Sequence, residues 1–263
     1  MSPVRQQLID KGMIWSQRYG ETSFTVPLWR LFAALAVARI AVVGVCAQAA
    51  DSPYDWKLTL GEYFYSNYAG SDANLRWRAS NTSAWVGAYA DSAFGSQFRA
   101  GADTSLQVAK YLQLQPSVQL ATRGFVGGSL NVQIGGAWYG LVGIGRTDAR
   151  PYFNLNFDPN DAMTYGVGHT GESGLAFNVF VIEDNRFHTG QRDWHANAQI
   201  PFGHSHATLD VLHKSGSSDA GRVSAWGGTL NYDWPTWFAR LAYDPYQNFS
   251  AQSAWRVAAG VRF

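Results

Sequence analysis

The chain has 263 residues; 46% are hydrophobic, 15% aromatic and 15% charged, and the formal net charge is +1. The charged fraction falls well below the roughly 25% of soluble domains, and mean hydropathy is −0.18. With 11 Trp and 27 Gly, these values exclude a disordered chain and a bundle of membrane helices, and they point to an all-β protein.

In chain order the first element is an apolar run, Leu31 to Val45, preceded by Arg30 and followed by Ala47-Gln48-Ala49. A basic flank, a short apolar core and a small-x-small site predict a cleaved export signal; the run is too short for a transmembrane helix. The 30 residues before it are polar and long for a signal, as if translation began at Met13 or later. Residues 1–50 are therefore set apart as extension and signal, and residues 51–263 as one domain. Cys46, the single cysteine, falls in the signal, so the exported chain is expected to hold no disulfide and no thiolate site. Residues 51–263 carry 15 basic and 17 acidic side chains, which gives no support for nucleic-acid binding.

From there the sequence runs in period two. Leu75, Trp77 and Ala79 oppose Asn74, Arg76 and Arg78; Phe98, Ala100 and Ala102 oppose Gln97, Arg99 and Asp103; Leu112, Leu114, Val118 and Leu120 oppose Gln113, Gln115, Ser117 and Gln119. Shorter alternations follow at 130–134, 152–157 and 196–200. Each predicts a strand with one apolar and one polar face. Turn-forming residues break the runs at Gly70-Ser71-Asp72, Asp91-Ser92, Asp158-Pro159-Asn160-Asp161, Thr170-Gly171-Glu172-Ser173, Ser215-Gly216-Ser217-Ser218-Asp219 and Asp244-Pro245. At about ten residues per strand this predicts an antiparallel β-barrel of about 12 strands (12–14). Trp and Tyr near strand ends suit a membrane interface.

The chain ends Trp255-Arg256-Val257-Ala258-Ala259-Gly260-Val261-Arg262-Phe263. A terminal aromatic, an apolar residue two before it, and a polar residue further upstream resemble the assembly signal of bacterial outer-membrane β-barrel proteins. Phe263, Val261 and Arg256 match, and Ala258 stands where Gly is usual. The resemblance implies an even-stranded transmembrane barrel in the outer membrane of a Gram-negative cell, reached through the periplasm. It also implies outer-membrane lipid and the barrel assembly machinery as partners, the latter through Phe263, with a monomer expected.

The expected lumen-lining residues are Glu62, Arg76, Arg78, Arg99, Asp103 and Arg256, with Arg256 brought near Lys57 or Glu62 by closure. Such a set forms either a lining that attracts anions or a salt-bridge network that fills a narrow barrel, the latter being the stronger reading. No catalytic, cofactor or metal residue is assigned. His204 and His206 share one strand face, with Asp210 on the face of His206 and His195 on the preceding strand; such a set could bind zinc, but histidines are common in loops and lumens. No phosphate-binding glycine loop is present. The function expected is a small channel or a structural barrel. The alternatives are an outer-membrane lipid-modifying hydrolase, marked by a His–Ser pair on the outer face, and a soluble periplasmic β-sandwich binding protein. Short loops argue against a large plug.

Overall fold

The computed structural model describes residues 54–156, 158–218 and 221–263. The signal and extension expected at 1–50 lie outside the described residues. Outside the 148–161 stretch, alternating sequence becomes strand: β1 (Trp56–Tyr65), β2 (Ala69–Ala79), β3 (Thr82–Asp91), β4 (Gly95–Thr104), β5 (Leu106–Ala109), β6 (Leu112–Ala121), β7 (Phe125–Gly135), β8 (Trp138–Thr147), β9 (Ala162–Thr170), β10 (Ala176–Asp184), β11 (Arg192–Phe202), β12 (Ser205–Ser218), β13 (Gly221–Asp233), β14 (Trp237–Asp244) and β15 (Ala254–Arg262). Consecutive strands pair antiparallel. β4 and β5 both pair with β6, Asp103 opposite Ser117 and Leu106 opposite Leu114. They are two halves of one barrel strand, interrupted at Ser105.

The last strand pairs with the first, Lys57 opposite Arg262 and Tyr65 opposite Ala254. The Trp56 and Phe263 backbones bond to each other twice at 3.0 Å. The sheet is therefore a closed barrel of 14 strands. Closure leaves no unpaired edge, which is what hydrocarbon surroundings demand.

The faces divide as the alternation requires. Val118, Leu120, Val142, Val167, Leu230 and Val257 point outward and are half exposed. Tyr63, Asn74, Gln97, Asp193 and Lys214 point inward and are buried. A soluble sandwich would bury Val118 and Leu120 between sheets; here they form the outer wall. Trp56, Trp77, Trp138 and Trp237 ring the end where β1 begins and β15 ends (the termini end), while Tyr165, Trp194, Trp226 and Trp255 ring the far end. Rings favour the membrane–water boundary, where one edge is apolar and the other wet.

Three expectations change. The strand number is 14, because turns at the termini end, such as Ser80-Asn81 and Gly203-His204, are tight and leave more chain for pairing. Ser80 takes a left-handed conformation (φ 52) to make its turn. The alternation at 152–157 is no strand. In the segment between β8 and β9, Phe153, Leu155 and Asp158 turn into the barrel, and the Phe153 backbone finds side-chain partners in place of a ladder. Phe153 N–H donates to Gln97 Oε1 at 2.8 Å, and Gln97 Nε2 donates back to the Phe153 carbonyl at 3.0 Å. Leu155 joins Tyr63, Tyr65 and Tyr89 in a buried cluster, and the Phe153 ring stacks on Tyr89 at 4.8 Å. The lumen thus holds an inward segment that loop length alone did not announce. Gly70-Ser71-Asp72, expected as a turn, lies within β2.

Candidate functional site: the barrel lumen

A cavity of about 450 Å³ lies inside the barrel. Its basic wall comes from β1, β2 and β14, where every second residue points inward: Lys57, Arg76, Arg78 and Arg240. The opposite wall, from β6 and β7, is uncharged, with Gln115, Ser117, Gln119 and Asn131. Asp103 and Asp158 are the carboxylates on the lining. Arg76 Nη1 donates to Asp103 Oδ1 at 2.9 Å and to Ser83 Oγ at 2.7 Å. Arg240 Nε donates to Asn231 Oδ1 at 3.3 Å. Guanidinium groups stay charged at any physiological pH, so Arg76, Arg78 and Arg240 face Asp103 and Asp158 across this cavity.

Of the six residues expected in the lumen, Arg76, Arg78 and Asp103 line this cavity. Arg99 also points inward but is spent on structure. It pairs with Asp72, and both side chains are almost fully buried. Arg256 is buried too, 5.8 Å from the Tyr63 ring and across the ladder from Tyr63. Arg262, not Arg256, is the residue opposite Lys57. Glu62 is on the other face: it shares the outward parity of Leu60 and Phe64 and accepts from Ser71 Oγ at 2.9 Å. The expected placement failed there because β1 carries an outward polar residue amid apolar ones.

Sequence reasoning missed the second interior cluster. Lys214, wholly buried, lies 2.7 Å from Asp244 and 3.9 Å from Asp193. His195 stands between Asp158 at 2.8 Å and Asp210 at 3.0 Å. Asp193, His195, Asp210, Lys214 and Asp244 all occupy inward positions of β11, β12 and β14. The alternation was legible, but the cross-strand registers that join them were not. Asp158 belongs to the inward segment, so this contact fastens the segment to β11. Burial pushes the Asp158 carboxyl up, but His195 beside it outweighs this and holds it below the ordinary carboxylate value.

The histidines do not assemble. His206 lies 3.4 Å from Asp233, and His195 sits at the level of Leu212, six residues along β12. Among the described residues no cluster of three or more ligand side chains could hold a metal. On the outer face, His169 packs against Trp138 and Phe177. His213 Nε2 lies 3.3 Å from Ser224 Oγ.

Among solved structures, the chain is similar to the outer membrane protein Omp33 of Acinetobacter baumannii, with TM-score 0.52 and 12% identity, covering 80% of this chain and 98% of that one. The chain has the fold of an outer-membrane β-barrel. The barrel also aligns with a KdgM porin (TM-score 0.40, 10% identity, 79% and 99% covered) and a NanC porin (0.41, 8%, 78% and 100%), scores too low to weigh. A family model described as a domain of unknown function (DUF8462) matches residues 1–33, ahead of the barrel. No curated protein matches the chain.

Proposed function

We propose that this outer-membrane barrel is a channel for small hydrophilic solutes and that it favours anions. The observation that carries the reading is the cavity lining, with Arg76, Arg78 and Arg240 against Asp103 and Asp158. Fixed charge in a narrow polar space raises the local concentration of counter-ions. The inward 148–161 segment supports a narrow path in preference to a wide one. On the same reading the barrel works as a monomer, and Phe263 is the residue the assembly machinery reads.

The test is conductance in planar bilayers across a potassium chloride gradient. The wild-type reversal potential should indicate anion preference. A fixed charge about 7 Å from a permeating ion interacts with it by roughly 0.6 kcal/mol in water, attracting chloride and repelling potassium, so each lost guanidinium should lower the chloride-to-potassium permeability ratio by about sevenfold. Arg76→Gln with Arg240→Gln should therefore move the channel toward cations. No conductance, or a cation preference in the wild type, overturns the proposal.

A second reading, hydrolysis of a lipid ester, has one observation behind it: the His213–Ser224 pair on the outer face near the far ring of aromatics. A serine needs a base that a third group orients, and among the described hydrogen bonds none holds the other nitrogen of His213. The channel is therefore preferred. Release of fatty acid from phospholipid micelles by the wild type, lost in Ser224→Ala, would reverse that preference.

A further inference from the structure

The charges on the outer wall are not evenly spread. Among the described strands, the outward charged residues are Glu62, Arg146, Glu183, Arg192 and Arg222. All lie in the half of their strands away from the termini. The inward lysines and arginines of β1, β2, β14 and β15 leave the outer wall of the termini end without a basic strand residue. Four of the five outward charges stand at the far rim, and three of those are arginine.

The register builds a layered patch on β10 to β13. Val181, Trp194, His213 and Trp226 stand side by side as one row. One pair further from the termini come Glu183, Arg192, Ser215 and Ser224, again side by side. Arg222 sits beyond them, opposite Ser217. Below the aromatic row on β12 the wall is apolar, with Val211 and Leu209. Arg192 spends one nitrogen on Glu183, at 2.7 Å, and its side chain remains half exposed. Tyr165 OH donates to the other oxygen of Glu183 at 2.9 Å. Both oxygens of the acid are thus engaged, while half of the Arg192 side chain stays open to the surroundings. Arg222 is exposed at the rim.

We propose that this patch is a binding site for a lipid headgroup carrying anionic phosphate. Guanidinium groups take phosphate oxygens in paired hydrogen bonds, and the serine hydroxyls of the same rows suit a hydroxyl-bearing headgroup. The occupant is a lipid, not free phosphate, because the basic rows rest directly on an aromatic row and then on an apolar wall. Acyl chains lie along Leu209 and Val211 while the phosphate meets Arg192 and Arg222. The site requires that the barrel span a membrane and is independent of conduction.

The test uses the full chain, purified in detergent and shown to be folded by its heat-dependent gel shift. Native mass spectrometry counts adducts of lipid A, of its dephosphorylated form, and of phosphatidylcholine. The wild type should retain lipid A and lose it at least tenfold in Arg192→Gln/Arg222→Gln. Glu183→Gln, which removes the competing carboxylate, should retain more than the wild type. Inorganic phosphate should not displace the lipid. Equal retention by the double variant, equal retention of dephosphorylated lipid A or of phosphatidylcholine, or displacement by inorganic phosphate would each overturn the site.

Discussion

Asp72→Asn isolates the buried ion pair that holds Arg99, a residue expected on the lumen wall. Asp72 and Arg99 face each other across the interior of β2 and β4, their side chains 0% and 2% exposed. Asparagine keeps the shape of Asp72 but leaves the Arg99 charge without its carboxylate in a place water cannot reach. Breaking one side of a buried pair costs about 3–5 kcal/mol, most of it the uncompensated charge. The measurement is urea unfolding in detergent micelles, followed by tryptophan fluorescence, since 11 Trp report on loss of the barrel. Asp72→Asn should lower stability by about that amount. Asp72→Asn with Arg99→Met, which removes both charges and keeps the volume, should recover most of the loss. A single variant within about 0.5 kcal/mol of the wild type would show that the interior there is wet. Arg99 would then belong to the conducting surface after all.

Three further outcomes are expected. Leu155→Ala removes a side chain buried among Tyr63, Tyr65 and Tyr89; it should cost about 2–3 kcal/mol and speed proteolysis within 148–161, while unchanged cleavage would mean that the segment is held elsewhere. Gly101→Ala should abolish the heat-shifted folded band, because the added carbon would lie 2.5 Å from the Trp85 ring and 2.7 Å from the Val118 carbonyl oxygen. Gly190→Ala meets nothing within 4 Å but sits at φ +69, so it should fold with a loss of no more than about 1–2 kcal/mol, measured by the same urea unfolding.

The residues that define the lumen show how far pattern reaches. Arg76, Arg78 and Asp103 were placed from alternation, because side-chain direction in a strand is fixed two residues at a time. Glu62 defeated the same rule, since the rule needs a face to be apolar throughout and Glu62 breaks it at a position where Ser71 satisfies the carboxylate. Arg99 was placed on the correct face, but its partner was invisible: Asp72 is 27 residues away and meets it across two hairpins. Residues 152–157 alternate like a strand, yet their backbone bonds to Gln97. Periodicity records which side chains are apolar and is silent on what the backbone pairs with.

By itself, the sequence determined the class of architecture: strands, an apolar outside, a polar inside and a closing aromatic residue. These follow from local alternation and composition, which act over a few residues. Tertiary structure decided the 14-strand count, the entry of 148–161 into the lumen, and the division of inward charges between a cavity lining and buried pairs. It also set the row that carries Glu183, Arg192 and Ser215. These depend on register between strands far apart in the chain, and register is settled by closure of the whole ring.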